Sequence, residues 1–210
     1  MSNVLNILSK IYCILLHPIL IPSYGVAGFC CAIKNIIPEL PRQYILLCII
    51  GTIVLTFMIP AILLLFMWRK GYIDSLHISK ANQRTAPYIY TLICYSFWAY
   101  FLHFTMHLPI LVLGVALGVV GILLIVAIIN LKWKISAHLA GLGGLLGGVC
   151  SFAIYYATLP MGLIIAILIL ALLLMYARIY LNAHTPSQVV CGFLLGLIGT
   201  FTPTLILTYA

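Results

Sequence analysis

Residues 43–68, 85–131, 135–177 and 179–210 contain no Asp, Glu, Lys or Arg. Each stretch exceeds the roughly 20 apolar residues that an α-helix needs to cross ~30 Å of hydrocarbon. The rest of the composition agrees: 65% of the 210 residues are hydrophobic and only 6% charged, against about 25% charged in a soluble domain. Such a chain cannot cover a water-facing surface, so most of its solvent must be lipid. There only helices and closed barrels satisfy their backbone groups. Barrel strands would alternate apolar and polar residues over about 10-residue segments, and these runs do not alternate. The fold class is therefore all-α, a multi-pass helical bundle integral to a membrane.

The uncharged windows predict seven spans in a single domain covering 1–210, at about 11–33, 43–68, 88–107, 109–131, 135–158, 160–181 and 186–208. Pro109 and Pro160 mark two very short connections, each at a helix start. The first run contains Pro18 and Pro22, extends past Cys31 and lacks an A-x-A pattern. It reads as a retained, kinked membrane segment rather than a signal peptide.

Ten basic residues face only Glu39 and Asp74, giving a net charge of +8. In a membrane protein such an excess reflects topology or anionic head groups; no soluble basic domain is present to bind nucleic acid. Seven crossings put Lys10, Arg69, Lys70, Lys80, Arg84, Lys132, Lys134 and Arg178 on the face of the N-terminus, and Lys34 and Arg42 on the other. The positive-inside rule places the first face in the cytoplasm of a plasma (inner) membrane, although three of its charges belong to the candidate site below. All seven cysteines lie in apolar runs without metal-ligand spacing and read as small packing residues.

Three segments of the basic face carry the polar chemistry: His77 to Pro87, Lys134 to His138, and Arg178 to Gln188. Ser136 is placed to cap the fifth span, with His138 in its first turn. Thr185-Pro186 gives a cap and first-turn proline for the seventh, with His184 just outside. Two helix N-termini then direct unsatisfied N–H groups at one region, and arginine adds a fork suited to phosphate oxygens. These segments contain no carboxylate, and Asp74, just before the first, is the one nearby, which argues against a carboxylate-rich metal site.

These segments resemble the three motifs of the type 2 phosphatidic acid phosphatase superfamily, which includes the vanadium haloperoxidases and whose motifs run approximately K-x6-R-P, P-S-G-H and S-R-x5-H-x3-D. The third is present as Ala177-Arg178, His184 and Gln188, with Gly192 beyond. The second is Ile135-Ser136-Ala137-His138. The first is the most altered: Arg84 is separated from Pro87, and His77 stands where the lysine belongs, with Lys80 nearby. The resemblance runs from about 77 to 196 and implies a six-helix-type phosphatase core. It implies that His184 attacks phosphorus, His138 protonates the leaving oxygen, and Arg84, Arg178, Lys80 and the Ser136 region hold phosphate oxygens, with no metal or other cofactor. Gln188 replaces the family's aspartate; its carbonyl can orient the nucleophile but supplies no negative charge.

The expected activity is hydrolysis of a phosphomonoester or pyrophosphate of a lipid-linked substrate through a phosphohistidine. The competing expectation is a protein that binds or moves phosphorylated lipids after losing the chemistry, which Gln188, Ala177 and the altered first motif favour. The resemblance leaves the outer membrane face open, since many bacterial relatives act there. Other features have plainer explanations. His103 and His107 read as interfacial, His17 as bonding a backbone group freed by Pro18 or Pro22, and Trp68, Tyr88, Tyr90 and Trp133 as an aromatic belt. Gly141, Gly144 and Gly148, with Gly192 and Gly196, predict close packing of the fifth and seventh spans.

Overall fold

The computed structural model describes residues 2–74, 83 and 85–210, and every regular element among them is helical. In chain order these are α1 (Ser2–Leu15), α2 (Ile21–Ile36), α3 (Arg42–Ile53), α4 (Ile59–Arg69), α5 (Thr85–Tyr100), α6 (Ile110–Ile129), α7 (Ala137–Tyr155), α8 (Met161–Tyr180) and α9 (Pro186–Tyr209). A π turn at Val54–Met58 joins α3 and α4 into one helix, Arg42–Arg69, and a second at Phe101–Thr105 extends α5.

Among the described residues, five helices are long and apolar enough to cross a membrane: Arg42–Arg69, α6, α7, α8 and α9. They coincide with five of the seven expected spans. The expected first span, 11–33, is two helices rather than one kinked one; Pro18, with no amide proton and a ring that clashes with the preceding turn, marks the interruption. The expected third span is α5 with its π extension, where Tyr88, Tyr90, Thr91, Tyr95, Ser96 and His103 dilute the apolar run. Large apolar side chains such as Ile62, Phe97, Leu172 and Ile198 point outward, as lipid solvent requires. The molecule is thus a multi-pass membrane protein.

α9 lies against both α7 and α6, and its seam with α7 is the most extensive in the molecule. Glycine makes that approach possible. A Cβ at Gly192 would sit 2.5 Å from the Ser136 carbonyl oxygen, and one at Gly196 would fall on the Ala140 carbonyl, 2.7 Å from the Gly144 nitrogen. The opposing surface is Gly143 and Gly147, which meet Phe193, Leu197 and Thr200. The expected closeness of these helices is therefore present, but on a different face of α7. Gly141 instead meets Ile21 of α2 and Gly148 meets Val115 of α6, while Gly144 sits at the seam's edge near Thr200. The buried Thr200 hydroxyl lies 2.9 Å from the carbonyls of both Gly144 and Gly196, tying the helices with a polar contact suited to lipid.

Four of the seven cysteines (Cys13, Cys30, Cys48 and Cys94) are buried, whereas Cys31 and Cys191 are exposed; all seven are free thiols. The packing expectation holds for the first group and not for the last two.

Candidate active site

The α7–α9 seam brings two helix N-termini together, and the Ser136 amide donates across it to the Gln188 carbonyl at 3.2 Å. Thr185 caps α9 as the sequence predicts. Its hydroxyl accepts from the Gln188 amide at 3.5 Å, the Gln188 side-chain oxygen accepts from the Thr185 amide at 3.1 Å, and Pro186 begins the helix. Ser136 occupies the cap position of α7 but its side chain does not cap. Its hydroxyl is fully buried without a hydrogen-bond partner among the described residues, and the residue is pressed against Gly192 rather than into the cavity described below.

His184 stands in the α8–α9 connection, with Asn182 at φ 50° turning the chain towards α7. The Ala183 and His184 amides donate to the Arg178 carbonyl at 3.0 and 3.4 Å, closing the end of α8. The His184 Nδ1 lies 3.0 Å from the Lys134 carbonyl oxygen and 3.2 Å from the Gln188 Oε1. Both neighbours are acceptors, so Nδ1 carries the proton. The Thr185 amide fixes the Gln188 amide with its oxygen towards the ring. Nε2 is then the atom with the lone pair. Burial, followed by the Arg178 guanidinium, pushes His184 down to about 4, against the raising effect of its two acceptors. At neutral pH the imidazole is uncharged.

Arg178, in the last turn of α8, is 6% exposed. Its Nη1 reaches the Cys13 Sγ at 3.7 Å and its Nε has no hydrogen-bond partner among the described residues. A buried guanidinium with an unused N–H is costly unless an anion comes to it. His138, in the first turn of α7, donates from Nε2 to the Cys13 carbonyl at 3.2 Å and meets the His17 ring edge-on, centroids 5.2 Å apart.

Arg178, His138, His184 and Lys134 line one end of a cavity of about 900 Å³. Away from that end its walls are mainly apolar, passing between α2, α6, α7 and α8 as far as Phe152 and Leu163. Of the sequence-predicted site residues, the structure thus joins His184, His138, Arg178 and Gln188, and keeps Ser136 behind the wall. Lys80 and Arg84, with His77, lie outside the described residues. His103 and His107 stay apart from this cluster, and the His103 Nδ1 donates to the Leu108 carbonyl at 3.2 Å.

Two contributors were missed from sequence: the Cys13 carbonyl, and His17 as a neighbour of His138. The signal for them was Pro18. His17 does bond a backbone group beside that proline, its Nδ1 accepting from the Ile19 amide at 3.4 Å, but it also packs on the pocket.

Residues 132–209 match the family model described as the PAP2 superfamily. No curated protein and no solved structure matches the chain. The matched segment contains Ser136, His138, Arg178, His184 and Gln188, and with them the seam that brings the two histidines to one cavity. That match, over the C-terminal part of the chain, supports membership of the type 2 phosphatidic acid phosphatase superfamily and with it a phosphatase-type activity.

Proposed function

We propose that the protein hydrolyses a phosphomonoester or pyrophosphate of a lipid-linked substrate through a phosphohistidine at His184. The observation that carries this reading is the pair of oxygens, from Lys134 and Gln188, around the His184 Nδ1. They leave Nε2 as an uncharged nucleophile beside a buried arginine with an unused N–H. In the first step the Nε2 lone pair forms a bond to phosphorus while the bond to the lipid oxygen breaks. That oxygen takes the electron pair and receives a proton from His138, which the bound phosphate dianion holds as imidazolium for this step. In the second, water attacks phosphorus, the N–P bond breaks, inorganic phosphate leaves, and the proton of the water returns to His138. Arg178, joined by Arg84 and Lys80 on the family pattern, balances charge on the phosphate oxygens. The backbone N–H groups opening α7 add to this.

The apolar extension of the cavity supports a lipid rather than a soluble phosphate. At about 900 Å³ it sits at the upper end of pockets that enclose drug-sized molecules, about 300–1,000 Å³. The membrane arrangement proposed with this activity is seven crossings, α2 and the extended α5 joining the five long helices.

The test is phosphate release by detergent-purified protein from a panel of lipid phosphates in EDTA, beside His184→Ala. Release that persists in EDTA and is lost in the variant is expected, together with an acid-labile, base-stable phosphoprotein on rapid quench. A protein that binds these lipids equally well with and without His184 and releases nothing is instead a binding or transport protein.

A further inference from the structure

α1 ends in an exchange of hydrogen bonds with a chemical consequence. In a continuing helix the His17 amide would donate to the carbonyl four residues back, that of Cys13. The Leu16 amide still follows this rule and donates to Tyr12 at 3.0 Å. The His17 amide does not: it donates to Ile14 at 3.2 Å. Pro18 is the reason. It has no N–H to give the Ile14 carbonyl, and its ring excludes the helical path. The Ile14 oxygen therefore takes the His17 amide, and the Cys13 carbonyl is released from the helix. The donor it receives instead is the Nε2–H of His138, 125 residues away, at 3.2 Å.

We propose that the Pro18 break is a positioning device for His138: by moving the His17 amide from Cys13 to Ile14, it leaves the Cys13 carbonyl to hold the His138 ring in the phosphate pocket. With Nε2–H committed to Cys13, the proton passed to the leaving oxygen is the one that the imidazolium form of His138 carries on Nδ1, and Nδ1 takes a proton back from water in the second step. The His17 ring, edge-on to His138, limits its rotation about the same bond. α1 lies outside the matched family segment, so this device belongs to the chain's own N-terminal region. The inference rests on the reading of His138 as proton donor, and the experiment separates the two.

General-acid help matters in proportion to the basicity of the leaving group. The diacylglycerol of a short-chain phosphatidic acid leaves as an alkoxide and needs the proton, whereas the p-nitrophenolate of p-nitrophenyl phosphate does not. His138→Ala is expected to lower kcat on the first by roughly 10²–10³-fold and on the second by about threefold or less. In Pro18→Ala an amide proton returns to Ile14 and the His17 amide goes back to Cys13. Because a carbonyl has two lone pairs, the loss is partial. The expectation is a kcat about tenfold lower on the alkyl substrate, with KM and p-nitrophenyl phosphate turnover unchanged. Pro18→Gly, which restores the proton but favours helix less, gives a smaller effect in the same direction. Pro18→Ala added to His138→Ala costs nothing further.

An unchanged alkyl-to-aryl ratio in both proline variants, equal falls on both substrates, or additive losses in the double variant would each overturn the proposal. If His138→Ala itself leaves the ratio unchanged, the proton-donor reading fails and this inference with it. A normal His138→Ala response beside an unchanged Pro18→Ala ratio sinks the inference alone.

Discussion

His184 and His138 line the same cavity, and each has one ring nitrogen on a backbone carbonyl, but their carbonyls come from distant parts of the chain. His184 is held by Lys134 and Gln188, both inside the segment that matches the family. His138 is held by Cys13, in a helix outside it. The setting of His184, the proposed nucleophile, is built from a cap, a turn and a helix start. That of His138, the proposed proton donor, depends on how a separate helix ends. A motif therefore specifies one histidine nearly completely and the other only in part: it carries His138 but not its orienting partner.

The comparison requires that both settings share one frame, the α7–α9 seam, and the largest predicted effect breaks that frame. Gly196→Val places side-chain atoms on the Ala140 carbonyl and the Gly144 nitrogen, which are backbone and cannot rotate away. The expected cost is about 3 kcal/mol or more, seen as a large fall in Tm. Hydrolysis of alkyl and aryl phosphates should vanish together, since both histidines lose their spacing. Gly121→Ala is the control: no neighbouring heavy atom lies within 4 Å of its Cβ, so Tm should hold or rise, alanine being the better helix former. A Gly196→Val protein that keeps either activity would mean the two histidines do not share a frame.

Much of this was legible in the sequence, for physical reasons. Charge-free runs specify helices in lipid because the bilayer leaves the backbone no other partner, and five of seven spans follow from that alone. Thr185-Pro186 specifies the start of α9 because capping is local. The break in the first span and the glycine face of α7 were not legible. Pro18 permits a kink or a full stop, and tertiary contacts of α1 and α2 decide between them. Gly141, Gly143, Gly144, Gly147 and Gly148 surround α7 on several faces, so spacing alone does not choose which face meets α9. The Cys13–His138 bond was least legible, joining residues that no local pattern relates.

A medium-sized effect sharpens the comparison at the nucleophile. Gln188→Glu keeps the length of the side chain and adds the charge that the family aspartate carries. A carboxylate against Nδ1 favours imidazolium, so His184 should move up from about 4 by about one to two pH units. The neutral form is the nucleophile and is lost below this value. The acid limb of kcat/KM should therefore shift to higher pH by the same amount, while the alkaline limb stays. Gln188→Leu removes the acceptor without adding charge. The Lys134 carbonyl remains at 3.0 Å and still keeps the proton on Nδ1, so the loss in kcat should be about tenfold rather than the ~10⁴-fold expected when a catalytic histidine is driven into the wrong tautomer. An acid limb that does not move in Gln188→Glu would show that residue 188 does not address the nucleophile.

The smallest effect separates the two parts of Cys13. Its carbonyl is backbone and survives any ordinary substitution, whereas its thiol is a weak acceptor facing the Arg178 Nη1 at 3.7 Å. Cys13→Ala should therefore leave kcat and the alkyl-to-aryl ratio unchanged, because His138 keeps its acceptor. Removing the thiol frees another N–H of a buried guanidinium, so KM for the phosphate substrate should fall or hold, by about twofold at most. Steady-state kinetics on both substrates measures this directly. A loss of kcat confined to the alkyl substrate would place the thiol, rather than the carbonyl that Pro18 releases, in the control of His138.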